Sequence, residues 1–434
     1  MKRLATIGFI VVSLGVSTPV LAQENVGLLP TNPFYFLKEW GRSFRRAVTP
    51  SILKKVELGM QVREEKLAEL KKMASIAADR VNSLVFTIDN YTDSVIRLTE
   101  LFEAITDGAA AERILNLFVE QSVKHYAEID ALRIQLNDDE SLQNDLANAQ
   151  DALLDSLAQV VQRLDSPEKF AVRLHTALIQ GEDPLKEIHA AEFLERLEQR
   201  LNTAFKKVVV QLQENLLLNL SGRLAGNMSL LGETFSVDGL GSAVSDPLLR
   251  LMVLDELREL VINSELKNQL SVLRQNILER TENDGGLIEE QVTAALKLLK
   301  NQLSEVEALV KEGAPAAQQL MNRVVFNIEQ ADELLSEGNV GGAFGQVTAG
   351  NAGIKGAFLY STLTEKDFLS DEALLRSAYD ELVKKIGNSD LLHQAEKEII
   401  DVSKLINAGG SREKIINSLR SIKTLLATIE ALGA

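Results

Sequence analysis

Apolar side chains recur at spacings of three and four through most of the chain, the period of a helix with one buried face. In "LAELKKMASIAADRVNSLVFTIDNYTDSVIRLTELF", Leu67, Leu70, Met73, Ala77, Val81, Leu84 and Ile88 form one such stripe, and most Glu and Lys residues fall on the other side. Similar stripes run through 141–164, 186–220, 247–280, 287–312, 317–336, 371–386 and 391–431. No segment alternates polar and apolar positions long enough, between turn residues, to make a strand. The pattern predicts an all-α protein, an elongated multi-helix bundle of stacked long antiparallel hairpins.

Prolines punctuate the pattern. Asn32-Pro33, Thr49-Pro50, Ser166-Pro167, Asp183-Pro184 and Asp246-Pro247 each pair a short polar side chain with proline. The first residue accepts from free amides of a first turn, and the second gives up an amide that had no partner, so each pair predicts a helix start. "LAELK" at 67, "IDALR" at 129 and "LDELR" at 254 share one pattern, as do "HYAEI" at 125 and "HAAEF" at 189. These echoes suggest a unit of about 60 residues, one hairpin that must stack on neighbours to bury its stripe. Loop-forming residues gather at 221–246, and "GAP" at 313–315 is a turn, which divides the chain into blocks at 51–220, 247–312 and 315–434. Within "EGNVGGAFGQVTAGNAGIKG", Gly342, Gly345, Ala349, Gly353 and Gly356 share one side of a helix, a smooth stripe that lets a partner helix approach closely.

Charge and composition narrow the function. The net charge is −16, becoming −18 if Lys2 and Arg3 leave with a leader, a surface that repels nucleic acid. With no cysteine there is no disulfide, no thiolate nucleophile or metal ligand, and no lipidation site at the end of a leader. Residues 1–22 read as such a leader: basic Met1-Lys2-Arg3, an apolar run, Pro19, and small residues up to Ala22. Cleavage near Ala22, with an extracytoplasmic location, is expected. Retention as an N-terminal anchor is the alternative, although the run is short for a membrane span. No later segment is apolar enough to cross a bilayer.

Residues 28–40, "LLPTNPFYFLKEW", are unusually aromatic for a chain with 5% aromatics. Wound as a helix over 33–48, Phe34, Leu37, Trp40, Phe44 and Val48 fall within about 120°, and Lys38, Arg42, Arg45 and Arg46 gather beside them. The expected arrangement fills a groove on the first block with the aromatics and pairs the arginines with its carboxylates. The second arrangement lays the helix on an anionic membrane or wall polymer. The candidate interface is therefore Phe34, Tyr35, Leu37, Lys38, Trp40, Arg42, Phe44, Arg45 and Arg46.

This opening, followed by "PSILKKVELGMQVREEKLAELKKM", resembles a bacterial family of exported helical domains of unknown function, whose members begin "LPxSPFYFLKR" and continue into "AELxLExAxERLAEL". The matching residues are Leu29, Pro30, Pro33, Phe34, Tyr35, Phe36, Leu37 and Lys38, then Lys55, Glu57, Leu58, Glu64, Leu67, Ala68, Glu69 and Leu70; Asn32 replaces the usual serine. The likeness is good over about 28–165 and loose beyond. It implies an exported helical bundle and brings no activity with it.

Catalytic patterns are missing from the sequence. His125, His175, His189 and His393 are scattered and none sits in H-E-x-x-H. His189 with Glu192 and His393 with Glu396 share helix faces and are expected to be solvated surface pairs rather than metal sites. The acidic turns "LNDDESLQND" and "RTENDGGLIEE" lack the ligand spacing of a calcium loop, and no G-x-S-x-G or phosphate-binding loop occurs. The expected function is an exported, non-enzymatic binding or structural module of the bacterial cell envelope, without cofactor, whose partner is an envelope protein or polymer. The alternative is a peripheral membrane or wall-polymer protein docked through helix 33–48. An enzyme on this scaffold would need a buried cluster of His, Asp or Glu from distant parts of the chain.

Overall fold

A computed structural model describes residues 27–76, 81–106, 108–136, 139–179, 186–227, 247–261, 263–283, 289–310, 315–387 and 389–433. The leader expected at 1–22 and its expected cleavage near Ala22, together with Ala77, Asp183-Pro184 and most of the 221–246 joint, lie outside these residues. Among the described residues there are sixteen helices and no strand. In chain order they are α1 (Tyr35–Val48), α2 (Ile52–Ile76), α3 (Val81–Glu103), α4 (Gly108–Gln135), α5 (Glu140–Leu164), α6 (Pro167–Leu178), α7 (Lys186–Glu198) and α8 (Thr203–Gly226). There follow α9 (Pro247–Leu260), α10 (Ser264–Asn283), α11 (Glu289–Glu307), α12 (Pro315–Ser336), α13 (Val340–Thr362), α14 (Glu365–Ile386), α15 (Asp390–Asn407) and α16 (Arg412–Gly433).

Several stripes that look continuous in sequence are folded back on themselves. The 67–88 stripe crosses from α2 to α3, 186–220 divides into α7 and α8, 247–280 into α9 and α10, and 391–431 into α15 and α16. Short polar caps mark the breaks. Asn202 accepts from the amides of Ala204 and Phe205, and Asn263 from Leu266, while Gly409 takes a positive φ of 64° ahead of α16. The proline pairs behave unequally. Ser166 caps α6, accepting from Lys169 N with Pro167 as first residue, and α9 and α12 also begin on proline. By contrast Asn32-Pro33 lies in a turn and α1 starts two residues later, at Tyr35. Thr49 closes α1, its hydroxyl donating to Arg45 O, so Pro50 precedes α2 instead of opening it.

The first hairpins, α2 to α6, stack with a nearly constant stride. Glu64 of α2 meets His125 of α4, Thr99 of α3 meets Ser156 of α5, and Glu112 of α4 meets Lys169 of α6. These partners are 57 to 61 residues apart, so corresponding helices of successive hairpins lie parallel, as a repeated unit of this length requires. Two apolar cores result. One draws on α2 to α8, from Val56 to Leu216; the other runs from Ile188 to Ile429 and takes in the helices of both the 247–312 and 315–434 blocks. α7 and α8 serve both, Phe193 and Leu197 facing the first core and Ile188 and Ala191 the second.

Glycine sets the closest approaches in the second core. A Cβ at Gly353 would stand 2.9 Å from Val324 of α12, and one at Gly356 3.0 Å from Leu320. The smooth stripe of α13 thus admits α12, whereas Gly350, off that stripe, admits Leu299 of α11. Likewise α16 lies against Gly222 and Gly226 of α8.

Candidate functional site

The chain opens on a helix whose two faces could hardly differ more. At 100° per residue, Tyr35, Lys38, Glu39 and Arg42 lie on one side of α1, and Phe36, Leu37, Trp40, Phe44 and Val48 on the other. The polar side is the one turned inward. Glu69 of α2, wholly buried, accepts from the Tyr35 hydroxyl at 2.6 Å and Arg42 Nη2 at 2.7 Å, with Lys38 Nζ at 2.8 Å. Arg42 also donates to Glu65 Oε2 at 2.6 Å and Glu39 Oε1 at 2.5 Å, and Lys66 donates to Glu39 and to the Tyr35 oxygen. Burial, then the hydrogen bond to Glu69, pushes the Tyr35 hydroxyl well above its ordinary value. Burial alone would raise Glu39, yet Lys66 and Arg42 hold it below the usual carboxylate range. α1 is therefore fastened by a lattice of charge-assisted hydrogen bonds.

The expected groove for the aromatics is not what the structure shows. Phe34, Phe36, Leu37, Trp40, Phe44 and Val48 are all exposed, Trp40 at 68%, with the Trp40 and Phe44 rings stacked 5.8 Å apart. Arg45 is exposed and Arg46 half-buried, whereas Lys38 and Arg42 are committed to carboxylates. Of the nine predicted interface residues, the structure brings Phe34, Leu37, Trp40, Phe44 and Arg45 to the outer surface and turns Tyr35 and Arg42 inward. Phe36 joins the outer face. The reason is the partner: the α2 surface below α1 presents Glu65, Lys66 and Glu69, which take the ionic side chains of α1 and the one ring that carries a hydroxyl, Tyr35, over which Lys66 Nζ lies 5.1 Å from the centroid.

A second constellation lies where α7, α8, α9 and α13 meet, and no sequence motif announces it. Glu195 and Glu198 of α7, Gln213 of α8, Glu256 of α9 and Asn351 and Lys355 of α13 are all buried. Lys355 Nζ pairs with Glu195 Oε2 and, at 2.7 Å, with Glu256 Oε1. Gln213 Nε2 donates to Glu195 Oε2 at 3.1 Å and Glu256 Oε2 at 2.7 Å, and Asn351 Nδ2 to both carboxylates at 3.1 and 3.2 Å. Burial alone would lower Lys355, but the surrounding carboxylates raise it, so the ammonium stays charged and offers no free amine for covalent chemistry. Burial likewise works upward on Glu195, which Lys355 nevertheless holds below the ordinary carboxylate value. Glu256 and Lys355 form part of the wall of a 270 Å³ cavity lined also by Leu217, Leu320 and Tyr360.

The two histidine pairs differ. Glu192 is buried and bound by Arg250 of α9 while His189, which acts on it electrostatically, is exposed; His393 and Glu396 both lie exposed, as expected of a surface pair. His125 is buried between Glu64 and Tyr91. A carboxylate only accepts, so Nε2 carries the proton toward Glu64 Oε2 at 2.7 Å and Nδ1 accepts from the Tyr91 hydroxyl at 3.1 Å. Burial holds this imidazole down at about 4. Among the described residues no group of three or more His, Asp or Glu has the geometry to hold a metal, and no helix is long and apolar enough to cross a membrane.

No protein-family model, curated protein or solved structure matches this chain.

Proposed function

We propose that this is an exported, non-enzymatic helical module of the cell envelope that sits on the membrane surface through the outer face of α1. The observation that carries the reading is the orientation of that helix: it turns Lys38, Glu39 and Arg42 to α2 and leaves the rings of Phe34, Phe36, Trp40 and Phe44 in water. An aromatic side chain offers roughly 150–250 Å². At the observed exposures the six apolar side chains present about 500 Å² or more, as much as the largest patch on a typical monomer. Burying that area in the headgroup region is worth about 12 kcal/mol gross at ~25 cal/mol per Å². Trp and Phe at the interface and arginines beside them suit a helix lying in the plane of a membrane. The leader read at 1–22 would deliver α1 to that surface, and the likeness of its motif to exported helical domains belongs to the same proposal. Glu195, Glu198 and Glu256 do converge with Lys355 in a buried cluster; the commitment of Lys355 to its carboxylates removes it as a free-amine nucleophile and bears on no other chemistry.

Trp40 is the only tryptophan in the chain, so its emission reports on α1 alone. Vesicles containing phosphatidylglycerol should shift that emission to the blue and shield it from acrylamide. Emission and quenching unchanged by vesicles, at low as well as high salt, would remove the membrane from the proposal. Salt should weaken binding only in part. Arg45 and Arg46 at about 1 kcal/mol each account for roughly a thirtyfold effect, against nearly a thousandfold if Lys38 and Arg42 were also free.

A further inference from the structure

The buried cluster contains one carboxylate more than its donors can serve. Lys355 has three ammonium protons, and Glu195, Glu256 and the Gln213 side-chain oxygen accept them. The amide protons of Gln213 and Asn351 go to Glu195 and Glu256 as well. Glu198, 1% exposed, is left with its Oε2 3.7 Å from Lys355 Nζ and no hydrogen bond to either oxygen. The other charged groups about it are Glu195 on its own helix, Lys206 from α8, Glu256 from α9 and Lys355 from α13. Lys206 lies 3.6 Å from Glu305 of α11, and Arg200, just beyond Glu198, is held by Asp151 and Asp155 of α5. A carboxylate stripped of water and given no donor in exchange is strongly disfavoured as an anion.

We propose that Glu198 is a proton-binding site, protonated while α7, α8, α9 and α13 are packed as seen here, and that loss of this proton loosens α13 from the wall formed by α7 and α8. The inference is independent of α1 and its membrane contact. Burial, opposed by Lys355 3.7 Å away and reinforced by Glu195, raises Glu198 to about 7, so the proton is exchanged close to neutrality. Burial and the neighbouring carboxylates raise Glu256 too. Its oxygens, however, already accept from Lys355, Asn351 and Gln213, an arrangement that favours the anion, whereas those of Glu198 accept from nothing. α7 and α8 serve both cores and α9 and α13 the second, so a proton here couples their packing to the pH of the surroundings.

The full chain labelled with ¹³C-glutamate tests this directly by NMR. One glutamate should titrate near neutrality, more than two pH units above the ordinary value of about 4.3. That resonance should vanish in Glu198→Gln and persist in Glu256→Gln. In the wild type, the protection factors of amides in α7, α8 and α13, corrected for base-catalysed intrinsic exchange, should fall above the midpoint, and in Glu198→Gln they should not. The proposal fails if the wild type shows no such titration, which requires no variant to fold. It fails also if the resonance survives Glu198→Gln and disappears in Glu256→Gln. A midpoint that moves with sodium or potassium concentration would assign the site to a metal cation and overturn it equally.

Discussion

If the polar face holds α1 to the body, removing Glu69 should release the helix and leave the rest of the fold standing. Glu69 is fully buried and binds Tyr35, Lys38 and Arg42 at once. Glu69→Ala leaves the Tyr35 hydroxyl with Lys66 as its remaining partner and withdraws one of three carboxylates from Arg42, which keeps Glu39 and Glu65. Removing one partner of a buried ion pair costs about 3–5 kcal/mol. The surviving partners of Arg42 argue for the lower end, so about 3 kcal/mol, or roughly a hundredfold in the docking equilibrium. α1 has 14 residues, and a free helix of that length is marginal in water, so undocking should also unwind it. Trp40 gives the assay. It is already exposed when docked, so its emission wavelength should change little, but its anisotropy should fall and the amides of α1 should lose protection from hydrogen exchange. The thermal transition of the remaining helices should stay in place. Unchanged anisotropy and protection in Glu69→Ala, with the exposed Glu57→Ala as control, would refute the claim that this lattice holds the helix.

His125 sets the acid limit of the first core. Its folded value, about 4, lies below the ordinary 6.5, so its contribution is complete above 6.5 and is lost as pH falls from there toward 4, by about 3 kcal/mol at most. Replacing it with Phe should flatten that part of the denaturation profile, and an unaltered acid slope would show the burial to be unimportant. Glu198 carries the opposite sign: its raised value means stability is lost as pH climbs from the ordinary carboxylate range toward 7 and is level beyond. Denaturant midpoints of wild type and Glu198→Gln should therefore agree near pH 4 and separate by pH 8, with the variant the more stable. Gly222→Ala would place a Cβ 2.5 Å from Ala427 Cβ and 2.7 Å from the Thr424 carbonyl oxygen, forcing α16 off α8 at about 1–3 kcal/mol. An unshifted midpoint would mean the two helices separate freely. Trp40→Ala should lower vesicle affinity by about 3 kcal/mol, roughly a hundredfold, measured by co-sedimentation.

Much of the fold was legible because its signals are local. Periodicity of three and four identifies the helices, and the echo of about 60 residues corresponds to the 57-residue stride that links Thr99 with Ser156 and Glu112 with Lys169. The stripes did not show where a helix reverses, because two antiparallel helices facing one core continue the same apolar rhythm across the turn. Asn202 and Asn263 marked two of those reversals, and a search for caps inside the stripes would have found them. The lysine cluster was illegible for a different reason. Glu195 and Lys355 are 160 residues apart, and each alone looks like one more charge on an acidic helix surface.

The inversion of α1 has the most physical content. An amphipathic pattern states that a helix has two faces; it does not state which is turned inward. That is decided by the surface beneath, and on α2 the spacing of Glu65, Lys66 and Glu69 sets two carboxylates and an ammonium under α1. Placing the rings there would leave Lys66 and Glu69 only their own 3.9 Å contact and cover Glu65 without a partner, a cost of several kcal/mol for a buried ion. Leaving the rings in water forgoes about 12 kcal/mol gross, a quantity that an apolar surface beyond the chain can restore. The arrangement satisfies the body only if the ions face inward, and it leaves the outer face of α1 uncovered, which is the ground on which the membrane contact is proposed. The helix's buried half already contains Tyr35, Lys38 and Arg42 at full complement; what remains to be satisfied is hydrophobic and aromatic.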